Sequence, residues 1–162
     1  MGNVQHGCTA LAGASLGGYN TTVELLLSRG AHVDSVDKDG DTPLSGAIYK
    51  GHPSTVELLL KHGANTDIQN ETGATPLLLI WQKMWHEKTD EQTAAKIVQI
   101  MSDYGAALEV PNKNGMTPLM AAASDGHTAA AELLLSKGAS VTPTDEVTLH
   151  ERRLECSMSP VN

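Results

Sequence analysis

The chain has 162 residues, enough for one domain, and carries a net charge of −8 from 11 Lys and Arg against 19 Asp and Glu. This acidic balance argues against a surface for nucleic acid and against an anionic membrane surface, because both require clustered cations. Aromatic residues make up only 3% of the chain and Phe is absent, so the core must consist of thin layers of Leu, Ala, Val and Ile.

The two cysteines, Cys8 and Cys156, lie near opposite ends of the sequence and form neither a CxxC motif nor a disulfide framework. No run of residues approaches the roughly 18 apolar residues of a membrane span. No cationic start followed by an apolar stretch predicts a secretion signal. We therefore expect an intracellular protein, in the cytoplasm, that acts without a membrane.

Two sequence markers recur with one period. Thr-Pro-Leu occurs at 42–44, 75–77 and 117–119, with Thr-Ala-Leu at 9–11, and Gly-Ala pairs at 30–31, 63–64, 105–106 and 138–139 follow the same spacing. The spacing is 33 residues, except for nine extra residues in the third unit. The repeats predict a single domain over 1–156 with the following parts: units 4–36, 37–69, 70–111 and 112–144, a degenerate half-unit at 145–156 that caps the array, and a frayed tail at 157–162.

The second unit shows how its first helix is specified. The Thr42 hydroxyl is suited to accept a free backbone N–H at the start of a helix. Pro43 follows at the first helical position, where its missing N–H costs nothing. The pattern predicts a helix over about 43–50, ended by Gly51 in a left-handed conformation.

A second helix is predicted from about Pro53 to Gly63. Val56, Leu59 and Leu60 keep the spacing of three to four residues that is typical of one buried helical face. One helix pair cannot bury its own apolar face, but stacked pairs share a continuous thin core. The predicted fold class is an all-α solenoid of four helix-turn-helix units.

The third unit departs from this pattern. The glycine that ends the first helix elsewhere is replaced by Met84, and residues 78–87 are all compatible with a helix. We therefore predict that the first helix continues for one to two extra turns. A polar loop then turns the chain back, and Thr89 or Asp90 caps a second helix over about 91–103.

The units resemble the ankyrin repeat. Residues 37–44 (Asp-Lys-Asp-Gly-Asp-Thr-Pro-Leu) match its opening, Gly51-His52 its middle and residues 56–64 its second helix, and the resemblance covers residues 4–144. It implies stacked helix pairs with β-hairpin fingers at right angles, which together form a cupped surface. It also implies a protein that binds other proteins and lacks catalysis. The His that the family favours after Thr-Pro-Leu is absent from all four units.

The resemblance places the partner at the finger tips and at the exposed end of each first helix. Tyr49 is the strongest single candidate, because exposed Tyr is enriched at binding hot spots. The alternative is that these positions are simply solvated turn residues. The residues of this chain at those positions in units 2 to 4 include Lys38, Asp39, Asp41, Tyr49, Lys50, Glu71, Thr72, Gln82, Lys83, Lys113, Asn114, Met116, Ser124 and Asp125.

Trp81 and Trp85 are the only tryptophans, and their spacing places them on one face of the extended helix. Trp is enriched in interface cores, so Trp85 is a further candidate for partner binding, with Trp81 possible beside it. The alternative for Trp81 is that it packs against its own unit and holds the extension down.

The leading hypothesis is a protein–protein interaction module that is monomeric on its own and binds a protein rather than nucleic acid or a membrane. An alternative is a regulatory or targeting segment of a larger enzyme or effector. Catalysis is the least favoured hypothesis, with His86, Asp90 and Glu91 as its best cluster. We expect neither cofactor nor metal, because the histidines form no HxxxH or HExxH pattern and the sequence contains no phosphate-binding glycine loop.

Overall fold

The computed structural model describes residues 9–81 and 90–142. These residues form seven α-helices and one 3-10 helix, and they contain no β-strand. None of the helices in these two ranges is both long enough and apolar enough to cross a membrane. The helices in chain order are α1 (Ala10–Leu16), α2 (Asn20–Ser28), α3 (Pro43–Lys50), α4 (Pro53–Lys61), the 3-10 helix (Pro76–Ile80), α5 (Glu91–Asp103), α6 (Pro118–Ser124) and α7 (Thr128–Ser136).

The helices form two layers. In one layer α1, α3, the 3-10 helix and α6 pack side by side, and in the other α2, α4, α5 and α7 do so. Each first helix also packs against the second helix of its own pair. This arrangement confirms the all-α repeat fold, and α3 and α4 have the predicted bounds.

The core is thin and repeats with the sequence. Leu11, Leu44 and Leu77 occupy equivalent positions in three successive first helices and are fully buried. Val23, Val56 and Val98 play the same part in three successive second helices. Because each of these residues is covered by the neighbouring pair, each pair depends on the next for its burial.

Threonine caps start three of the four first helices. The hydroxyls of Thr9, Thr42 and Thr117 accept the backbone N–H three residues further on, over 3.1, 3.1 and 3.3 Å. Gly51 ends α3 with a φ of 72°, in the left-handed region, as predicted. The local signals of the repeat therefore act as the sequence indicates.

The third pair differs from the prediction in its first helix. Pro76–Ile80 is a 3-10 helix rather than the first turn of a long α-helix, and it ends at Trp81. All six residues from Pro76 to Trp81 are buried, so this run has no polar face. The Thr75 hydroxyl makes no cap here: it is buried without a hydrogen-bond partner. The rest of the predicted extension falls in 82–89, outside the described residues.

The second helix of the third pair, α5, has the predicted bounds and the predicted cap residue. It begins at Glu91, and the Asp90 carboxylate accepts the Thr93 N–H over 2.9 Å. Hydrogen bonds from the Thr93 side chain and, to a lesser extent, from its backbone N–H lower the pKa of Asp90 below its ordinary value. Measured from the repeat register, α5 begins one turn earlier than α4 and α7, so part of the nine-residue insertion lengthens α5.

Candidate functional site

The resemblance implies β-hairpin fingers, and in the described residues the fingers are tight turns without β-strands. Each turn spans five residues (37–41, 70–74 and 112–116), and the N–H of its first residue donates to the carbonyl of its last over 3.0 to 3.1 Å. The side chain of the first residue, Asp37, Asn70 or Asn112, accepts two further backbone N–H groups from within the turn. This pattern is typical of Asx-type turns and fixes the shape of each tip.

The three turns are joined into one row by their backbones. The Glu71 N–H donates to the Asp39 carbonyl over 3.0 Å, and the Lys113 N–H donates to the Thr72 carbonyl over 3.1 Å. Gly73 has a φ of 75°, and a Cβ on it would lie 3.0 Å from the Lys113 nitrogen. The glycine is therefore required both by the turn and by the approach of the next turn.

The row exposes most of the predicted tip residues to solvent. Asp41 is an exception, because its carboxylate is half-buried and accepts the Asn70 amide over 3.0 Å. Burial raises the pKa of Asp41, and the nearby carboxylates of Asp37 and Asp39 raise it further, against the Asn70 hydrogen bond. The exposed tip residues are Lys38, Asp39, Glu71, Thr72, Lys113, Asn114 and Met116.

The end of α3 presents Tyr49 and Lys50 together. Lys50 is exposed, and its ammonium nitrogen lies 5.6 Å from the centre of the Tyr49 ring. Tyr49 is half-buried, so less of its ring is free than a solvent-exposed tyrosine would offer. The two side chains form a cation–π pair at the end of α3.

A cleft of about 190 Å³ lies between the third and fourth helix pairs. Its walls come from the last finger turn, from α6 and from the preceding 3-10 helix with Trp81. The structure thus brings four predicted partner-binding residues together in this cleft. Asn114 and Met116 come from the last finger turn, and Ser124 and Asp125 from the end of α6. The residues that line the cleft are Leu78, Trp81, Asn112, Asn114, Met116, Ala121, Ser124 and Asp125.

Trp81 itself belongs to the core. It is only 9% exposed, and its indole Nε1–H donates to His127 Nδ1 over 2.9 Å. His127 precedes α7, so the indole fastens the third pair to the fourth rather than only to its own unit. The repeat register carried a signal for this burial, because Trp81 aligns with Ile48, which is fully buried in α3.

A second hydrogen bond joins the third and fourth helix pairs, and no pattern in the sequence predicts it. The Glu91 carboxylate accepts the Ala129 N–H over 2.8 Å, at the first turn of α7. No side chain at the α7 N-cap position makes a cap hydrogen bond, so a residue of the preceding pair supplies one. The longer α5 makes this contact possible, because Glu91 lies in its additional first turn.

Three predicted partner-binding residues, Gln82, Lys83 and Trp85, lie outside the described residues, as does the predicted cap at 145–156. In 9–81 and 90–142, no group of three His, Cys, Asp or Glu is arranged to hold a metal ion.

One family model matches most of the chain. The family model described as ankyrin repeats (three copies) matches residues 10–88 and 88–145. No match to an individual curated protein accompanies it.

Proposed function

The chain belongs to the ankyrin repeat family, and from that premise we propose that it binds a protein partner through the row of finger turns and the adjoining cleft. Ankyrin repeats are generally protein–protein interaction modules and are typically not catalytic. The partner-binding surface proposed here consists of the finger tips, the ends of α3 and α6, and the cleft between the third and fourth pairs.

The cleft is the observation that carries the proposal. Its volume of about 190 Å³ is smaller than the roughly 300–1,000 Å³ typical of small-molecule sites. It therefore suits one side chain of a partner better than a cofactor. Leu78, Trp81 and Met116 give it apolar walls, and Asp125 and Asn114 supply polar groups at its rim.

The row of turns supports the proposal through its rigidity. Backbone hydrogen bonds hold neighbouring tips in register, so little conformational entropy is lost when a partner binds across them. The exposed charges along the row are of both signs, because the acidic Asp39 and Glu71 lie between the basic Lys38 and Lys113. Such a surface favours selective polar contacts around an apolar anchor.

Site-specific photo-crosslinking tests the surface and finds the partner in one experiment. A photoreactive amino acid replaces Lys50 or Lys113 on the proposed surface, and Lys61 or Lys96 on α4 and α5 as matched exposed controls. Irradiation in an extract of the native source should give one common protein adduct at positions 50 and 113 and none of it at 61 and 96. Adducts confined to the control positions would contradict the proposed surface.

A further inference from the structure

The fourth helix pair has an apolar groove on the side where a fifth pair would stack. The groove has a volume of about 430 Å³ and lies between α6, α7 and the segments before and after them. Leu119, Ala131, Leu135 and Val141 are among the residues that line it. We refer to it below as the end groove.

The repeat register shows that the end groove is an uncovered core surface. Leu119 is equivalent to Leu11, Leu44 and Leu77, which are fully buried, yet Leu119 is only partly buried. Ala131 is likewise partly buried, whereas the valines at the equivalent positions of the other three pairs are fully buried. Leu135 and Val141 are 42% and 77% exposed. The same positions that stack against a neighbour elsewhere thus lack that cover in the part of the chain that the structure describes.

We propose that residues 145–156 of the same chain occupy the end groove. Ser140 and Val141 line the groove, so the chain passes into this segment at the groove itself. Leu149 is seven residues beyond Thr142, and an extended chain spans at most about 3.3–3.6 Å per residue, so the segment easily reaches across one helix pair.

The composition of the segment fits this occupant. It contains the apolar residues Val147, Leu149 and Leu154 among the charged residues of 145–155. The apolar side chains supply the missing cover, and the charged ones give the array a polar outer face, which terminal repeats require. This inference concerns the end of the array and is independent of the proposed partner surface on the finger turns and cleft.

Disulfide trapping in the full-length chain tests the proposal. The native cysteines are replaced (Cys8→Ser and Cys156→Ser), and one new cysteine is placed in the segment (Leu149→Cys). The second new cysteine is placed in the groove (Ala123→Cys) or, as the control, on the exposed face of α2 at the opposite end (Glu24→Cys). Mild oxidation is followed by non-reducing electrophoresis and mass spectrometry.

The expected product is a monomer with an internal disulfide for the groove pair, formed at least tenfold faster than for the control pair. Covalent dimers joined through position 123 would overturn the proposal and indicate that a second copy covers the groove. Equal or absent crosslinking in the two pairs would also overturn it.

Hydrogen exchange of α6 and α7 provides a second measurement that does not need new cysteines. Leu149→Asp should raise amide exchange in these helices by roughly tenfold, the change expected when the burial of one apolar side chain is lost. Met158→Asp, which lies beyond this segment in the predicted tail, serves as the control and should leave the exchange unchanged. Equal exchange in the two variants would contradict docking of Leu149.

Discussion

Replacing a threonine with valine should have opposite effects at two equivalent positions, Thr42 and Thr75. Both residues precede a first helix, and both are buried. The Thr42 hydroxyl accepts the Ser45 N–H over 3.1 Å and also hydrogen-bonds the buried Ser45 hydroxyl over 3.1 Å. The Thr75 hydroxyl has no hydrogen-bond partner. Valine has nearly the same shape as threonine, so the comparison isolates the hydroxyl.

The magnitudes follow from these contacts. Thr42→Val removes a helix cap, which costs about 1 kcal/mol. It also leaves the Ser45 hydroxyl buried and unpaired, which costs at least about 1 kcal/mol more. The free energy of unfolding should therefore fall by about 2 kcal/mol or more. Thr75→Val removes a buried hydroxyl that is already unpaired, and the free energy of unfolding should rise by about 1 kcal/mol.

Urea denaturation monitored by circular dichroism measures both changes, provided that the slopes against urea concentration match the unsubstituted chain. The two variants should differ in their free energy of unfolding by about 3 kcal/mol. This difference is more informative than either value, because any effect that valine has at both positions cancels in it. If Thr75→Val destabilises the protein as much as Thr42→Val does, then Thr75 caps an ordinary first helix, and the account of the 3-10 helix is wrong.

Three further predictions concern the contacts between helix pairs and the charges. A double-mutant cycle of Trp81→Phe and His127→Phe should give a coupling free energy of about 1 kcal/mol, because only the pair makes the indole–imidazole hydrogen bond; additive effects would contradict that bond. Asp41→Asn should raise the free energy of unfolding at pH 7 by at most about 0.5 kcal/mol. The raised pKa of Asp41 means that the folded state binds its proton more tightly than the unfolded state, so this gain should vanish as the pH falls below the ordinary aspartate range; a gain that persists in acid would contradict the assigned cause. Asp103 has a pKa lowered by hydrogen bonds from Gln99 and Lys137, so the stability from its ionised form is lost as the pH falls through the lowered pKa. Acid titrations of thermal unfolding should show a weaker loss below about pH 4 for Asp103→Asn than for the unsubstituted chain, and identical curves would refute the assignment.

The parts of the fold that sequence predicted are those governed by local signals. Thr42, Pro43 and Gly51 each act within one turn of backbone, and the bounds of α3 and α4 follow from such signals. The start of α5 at Glu91 follows from Asp90 in the same way. The stacking of the helix pairs could then be predicted from the period of the repeat alone, without information on side-chain contacts.

The parts that sequence did not predict depend on contacts between distant residues. Residues 76–81 are compatible with an α-helix by propensity, yet Pro76–Ile80 forms a buried 3-10 helix that propensity alone does not specify. The hydrogen bond between Trp81 and His127 joins residues 46 positions apart. The cleft likewise depends on how one finger turn faces the next first helix, which no single segment specifies.

The central claim is that the partner binds across the finger turns and the cleft, and one pair of affinities tests it most directly. Met116 and Tyr104 are similarly exposed, at 38% and 43%, but Met116 lines the cleft and Tyr104 ends α5. Calorimetric titration with the crosslinked partner should give a Kd for Met116→Asp at least about tenfold above that of the unsubstituted chain, since an interface anchor contributes more than about 1 kcal/mol. Tyr104→Asp should leave the Kd unchanged. A Kd that rises for Tyr104→Asp and stays constant for Met116→Asp would contradict the claim.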